Sequence, residues 1–199
     1  MADTAPQRGV AAVRPKSGGG RRIVFLIAAL SLAPIAAAFV VYYFFPRQPA
    51  ANYGTLLPTR PAPPISGIRA DGSPFRLEEL RGRWVLLWGE PSGCGSACDK
   101  AAYATRQART MQGRDQDRIV RALLLVGDAA PPVPAFTAQH PDLIVARVAA
   151  DALDPLPGGS GALFVIDPLG NLVLRYPDDP DIRGIANDLA RLLKASRIG

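Results

Sequence analysis

The chain has 199 residues, 48% of them apolar, and a formal charge of +6, enough for one ordinary domain with a proper core plus an extra segment. Residues 1–22 carry Arg8, Arg14, Lys16, Arg21 and Arg22 against Asp3 alone, so +4 of that charge sits in the first segment. The remainder is nearly balanced, which argues against a nucleic-acid partner and leaves a membrane-topology signal.

The opening segment, 1–22, is rich in Gly, Ala and Pro ("VRPKSGGGRR") and reads as a disordered basic tail. Ile23 to Phe45 then runs for 23 residues without a charge. As a helix it rises about 35 Å, enough to cross a hydrocarbon core of ~30 Å. Pro34 kinks such a helix without breaking it, and Tyr42 and Tyr43 fall where aromatic side chains prefer the interface. A cleaved signal peptide has an apolar region of only about 7 to 15 residues, so an uncleaved anchor is expected. The context of the twin arginines, Arg21 and Arg22, fits a twin-arginine export signal poorly. The positive-inside rule puts the tail in the cytoplasm and everything after Phe45 across the membrane. In a bacterial cell this is a single-pass inner-membrane protein with a periplasmic domain, where cysteine pairs can oxidise.

Residues 46–64 hold six prolines in nineteen positions and read as an extended, polyproline-like tether. A globular domain is expected over 65–199. "ISGIRADGSPFRLEEL" offers a short apolar piece, the Asp71-Gly72 turn signal and an apolar return. Arg83 to Glu90 is a compact apolar run of strand length. The stretch from Ala97 to Gly113 reads as a helix with glycine as its stop. Ile119 to Val126 is a buried strand, "PVPAFTAQH" a short helix, and Leu143 to Ala149 a third strand. Two apolar runs around "DPLGN", 167–171, form a hairpin. Ile182, Ile185, Leu189, Leu192 and Leu193 mark one face of a closing helix. Alternating strands and helices predict an α/β fold with a parallel core and the hairpin as its antiparallel edge.

The chain's two cysteines, Cys94 and Cys98, lie in "SGCGSACDK" at the expected junction of strand and helix. A helix N-terminus stabilises a thiolate, so Cys94 should be the more exposed and acidic of the pair, with Cys98 about one turn inside. Residues four apart on a helix have Cα atoms about 6 Å apart, within disulfide range. The same spacing lets two thiolates chelate a soft ion such as Cu(I), which wants a third ligand, whereas zinc wants four. Lys100 and Asp99 offset each other. Glu90 reads as a solvated carboxylate, with a proton relay for the thiols as the alternative. His140, the sole histidine, reads as a surface residue, with metal ligation as the alternative. Met111 reads as core packing. Metal binding, thiol exchange and a structural staple all stay open on the residues alone.

"LEELRGRWVLLWGEPSGCGSACDKAAYATRQ", followed downstream by "LFVIDPLGNLV", resembles the SCO/SenC family of thioredoxin-like, membrane-anchored, copper-handling proteins that help assemble cytochrome c oxidase. The resemblance covers about 65–198 and places the family's CxxxC on Cys94 and Cys98. It implies a thioredoxin-like fold behind a single transmembrane helix. It also implies copper as a cofactor, and as partners the copper-site subunit of cytochrome c oxidase or another SCO-type chaperone. Gly95 and Asp99 stand where the family has prolines after its cysteines, and Gly159 stands where it has its third copper ligand, a histidine. The related CxxC thiol reductases carry a cis-proline where Gly161 stands. The P-x3-T-x2-C pattern of peroxidases of similar fold is missing, so peroxidase chemistry is not expected. Three functions follow: thiol–disulfide exchange with Cys94 attacking and Cys98 resolving, Cu(I) carriage by both, or a non-catalytic assembly partner with a structural disulfide.

Overall fold

The computed structural model describes residues 20–44, 52–159 and 161–196, in two compact units divided after Ala51. Most of the expected tail and residues 46–51 of the expected tether lie outside the described residues. The first unit contributes α1, Gly20–Phe44, with Pro34 inside it. Its stretch Gly20–Val40 has a mean hydropathy of 2.6. Twenty-five residues rise about 38 Å, so this helix is long and apolar enough to cross a membrane.

The second unit is one eight-stranded sheet flanked by helices. In chain order it comprises β1 (Thr55–Pro61), β2 (Ser66–Arg69), β3 (Pro74–Arg76), a 3-10 turn (Leu77–Leu80), β4 (Trp84–Glu90) and α2 (Ser96–Thr110). A second 3-10 turn (Gly113–Arg118) leads to β5 (Ile119–Val126), α3 (Pro134–Gln139), β6 (Leu143–Val148), β7 (Leu163–Ile166), β8 (Asn171–Tyr176) and α4 (Ile182–Ala195). The sheet order is β1-β8-β7-β4-β5-β6-β2-β3, with β4–β5 and β5–β6 parallel and the other pairs antiparallel.

Two expectations change here. The tether is expected through residue 64, yet Thr55–Pro61 pairs with β8 as an edge strand. Prolines are tolerated in a strand that has a partner on one side only, and the register of β1 shifts between Leu56 and Arg60, around Pro58. The β7–β8 hairpin is consequently not an edge: β1 covers its outer side.

Alternation along β4 divides the core. Trp84, Leu86 and Trp88 pack on the face covered by α2 and α4, together with Cys98, Ile185 and Leu189. Val85 and Leu87 pack on the opposite face with Phe75, Leu77, Leu80, Leu153 and Leu156. A strand buried on both sides needs a continuous apolar run, which "WVLLW" supplies. Met111 is not core. It lies just past the last turn of α2 and is exposed.

Arg121 interrupts the apolar run of β5 and is fully buried. Its guanidinium donates to the Ala102 carbonyl on α2 at 3.0 Å and to both carboxylate oxygens of Asp142. Arg109 of α2 reaches the same carboxylate at 3.0 Å. This cluster ties α2 to the start of β6. Burial depresses the basicity of Arg121, an effect opposed by Asp142. His140 lies next to the cluster, buried rather than on the surface, its ring tilted over Phe136 at 4.8 Å. Burial, together with the cations Arg121 and Arg106, holds its pKa below the usual histidine range, against the weaker pull of Asp142 and Asp99.

A second buried charge fastens the start of the domain. Asp188 of α4 accepts the backbone N–H groups of Tyr53 at 3.2 Å and Gly54 at 2.9 Å. The Tyr53 ring stacks on Tyr176 at 5.8 Å, and its hydroxyl accepts the Asp181 N–H at 2.8 Å.

Replacing Asp188 with Ala strands both backbone donors. It should cost about 3 kcal/mol, read by urea unfolding through the fluorescence of Trp84 and Trp88. Acidification tests His140. Below the ordinary histidine pKa of about 6.5 the unfolded chain takes up a proton that the folded histidine resists, so stability falls as pH drops below that value. His140→Gln should remove that slope between pH values of about 7.5 and 5.5, a window in which other side chains ordinarily do not titrate.

Candidate functional site

Strand β4 delivers the site. Its last residues leave the sheet where a loop closes over each side. Gly89 packs under the tip of Leu153, which would have to move to admit a Cβ, and its carbonyl accepts the Gly161 N–H at 2.9 Å. Four residues later Gly93 takes a positive φ of 85° and is buried against Ala130. An L side chain at Gly93 is disfavoured by the backbone angle and would crowd the Ala130 N and O atoms at 3.1 and 3.2 Å. The Gly93 carbonyl then accepts the Gly95 N–H, and Gly95, with extended backbone, caps α2 without a side-chain hydrogen bond.

Cys94 and Cys98 are joined as a disulfide, with Cα atoms 5.0 Å apart. They differ sharply in exposure. Cys94 is only partly buried, whereas Cys98, in the first turn of α2, is wholly buried against the core. The uncapped N-terminus of α2 directs its partial positive charge toward the pair, and a Cys94 thiolate formed on reduction gains from it.

Continuing the alternation of β4 puts Glu90 on the same sheet face as Trp88 and Cys98. It is half-buried, and desolvation raises its pKa above the usual carboxylate range. Glu90 is therefore not the fully solvated carboxylate of the first expectation. Lys100 points to Asp179 at 3.4 Å on an exposed surface, leaving the pair without a fixed cationic side chain from that residue. His140 shares a groove between α2 and α3 with Asp99, Tyr103, Arg106 and Phe136, and is not grouped with the cysteines.

The described residues do not supply the third ligand of a copper centre of the family's kind. Gly159 offers no side chain where the resemblance puts that family's histidine, which leaves the two sulfurs as the soft donors when the pair is reduced. Among the described residues no group of three or more His, Cys, Asp or Glu side chains could hold a metal ion. No cis peptide bond occurs among the described residues, and Gly161 has a φ of 99° where related reductases have cis-proline. Sequence reading singled out the cysteines, Glu90 and His140. Arg121 was not among them, although an arginine inside the apolar run of β5 is itself the signal.

The family described as transmembrane-like, thioredoxin-like, C-terminal domain matches residues 84–196. In fold the chain is similar to yeast Sco1, at 15% identity and a TM-score of 0.56, over 68% of this chain and 96% of that one. It is similar to apo Sco1 from Thermus thermophilus at 21% identity and a TM-score of 0.55, over 74% and 98%. A thiol:disulfide interchange protein from Bacteroides sp. aligns at 17% identity and a TM-score of 0.52, over 71% and 93%. No curated protein shows significant similarity to the chain. With the family match spanning more than half of its length, the chain belongs to the transmembrane-like, thioredoxin-like C-terminal domain family, a divergent relative in fold of the Sco proteins.

Proposed function

We propose that this is a membrane-anchored thiol–disulfide exchange protein acting through Cys94 and Cys98. The observation that carries the reading is the asymmetry of the pair: one sulfur reaches the surface while its partner is buried one turn away. In the reduced form the Cys94 thiolate attacks a substrate disulfide. A Cys94–substrate bond forms, and the substrate disulfide breaks with release of one substrate thiolate. Cys98, as thiolate, then attacks the Cys94 sulfur. The mixed disulfide breaks, the second substrate thiolate leaves, and the Cys94–Cys98 disulfide remains. Two electrons have passed to the substrate, and a dithiol donor returns them by the reverse sequence. Glu90, half-buried at the end of β4 on the sheet face that α2 covers, serves in this reading as the base that takes the proton Cys98 must give up.

The anchor and the basic tail favour α1 as a single membrane span with the tail in the cytoplasm and the domain in the periplasm. There an oxidising milieu keeps making the disulfides such a protein would reduce. Resemblance to the SCO/SenC family points to the copper-site cysteines of cytochrome c oxidase, or of another SCO-type chaperone, as substrate. The chain would keep those thiols reduced for a copper ion delivered by another protein.

Single-cysteine variants test this. Cys98→Ser should trap a mixed disulfide with an oxidised two-cysteine peptide, because nothing resolves it. Cys94→Ser should react at least about tenfold more slowly, since a buried thiol is poorly ionised and inaccessible. If the two variants react alike, or neither reacts, the disulfide is a structural staple.

A further inference from the structure

The loop against Gly93, the residue before Cys94, is itself held from a distance. Arg147 sits on β6 in register with Leu125 of β5. Its Nη1 donates to two carbonyls of the turn leaving β5, Gly127 at 2.7 Å and Ala129 at 2.9 Å. The same turn is closed by backbone bonds from Gly127 N–H to Val148 and from Ala129 N–H to Val126. Ala130 comes next, and against its backbone lies Gly93, the residue before Cys94. The Gly93 carbonyl in turn receives the Gly95 N–H at the start of α2. One guanidinium nitrogen is thus connected to the reactive sulfur through three contacts: carbonyl clamp, loop against glycine, glycine to helix cap.

From this we infer that Arg147 is a positioning residue for the Cys94–Cys98 pair, an inference that rests on the thiol-exchange reading. Arg147 is exposed and adds little to the core. Its two bonds hold carbonyls that would otherwise turn toward water. Without them the turn at 127–130 loosens, Gly93 loses its wall, and Cys94 is no longer kept at the spacing the disulfide needs. The dithiol form, which tolerates a wider separation, then gains relative to the disulfide. Length alone does not replace the clamp. A Met side chain has no donors, whereas the three donors of a Lys ammonium can serve both carbonyls.

The experiment equilibrates the full chain, in detergent, with glutathione redox buffers and reads dithiol against disulfide by alkylation. Arg147→Met should shift that equilibrium toward the dithiol by about fivefold, the worth of one net hydrogen bond. Arg147→Lys should return it most of the way, and thermal midpoints of the three proteins, measured in their reduced forms, should stay close together. A shift that tracks a lowered midpoint, an Arg147→Met protein that equilibrates like the wild type, or a Lys variant that fails to rescue would each overturn the inference. All three leave the exchange reading intact. If the wild-type pair does not equilibrate with glutathione, that reading fails, and the positioning role falls with it.

Discussion

Strand β4 is buried on both faces, and the rest of the domain is arranged around that constraint. A strand with no solvent side can accept only apolar side chains along its length, and its polar chemistry has to begin where burial ends. "WVLLW" fills two cores at once, one under α2 and α4 and one under the 3-10 turn and the loop carrying Leu153 and Leu156. The chain then leaves between two loops, with Gly89 under Leu153 and Gly93 against Ala130. The half-buried Glu90, the cysteines and the uncapped end of α2 all follow within a few residues, because this is where the strand first meets water.

The sequence made much of this legible. β4, β5, β6, the hairpin and α4 could be read because periodicity and turn chemistry agree with the tertiary packing. Ile185, Leu189 and Leu193 are all buried as their spacing implied. Edge strand β1 was hidden because proline density reads as an extended tether, and only the presence of β8 on one side turns extension into pairing. His140 was misread for a related reason. A histidine before a proline looks like a loop residue until the ring of Phe136 and the buried Arg121 are placed beside it. Met111 reads as part of α2's apolar face, but it falls one residue beyond the last helical turn, and the face ends before it. The exposure difference between Cys94 and Cys98 followed from the strand-to-helix junction. The clamp from Arg147 could not be read, since it joins residues that only the β5–β6 pairing brings together.

Similarity to the Sco proteins concerns the fold, and the donor atoms carry the chemistry. Two sulfurs with a glycine where the resemblance puts an imidazole fall one donor short of the three soft ligands a cuprous ion wants. The same two sulfurs, one accessible and one shielded beside a helix N-terminus, have the asymmetry on which the proposed thiol exchange rests.

The fastening of Tyr53 and Gly54 by Asp188 spans 135 and 134 residues of sequence, and β8, the partner of β1, is also made late. The edge strand is therefore among the first parts of the domain to be synthesised and among the last to find its place. Loop closure over such distances is slow, whereas Cys94 and Cys98, four residues apart, can meet as soon as both have emerged. The cysteine pair can therefore close before the edge strand is in place, so the local disulfide does not wait for the long-range contacts that complete the domain.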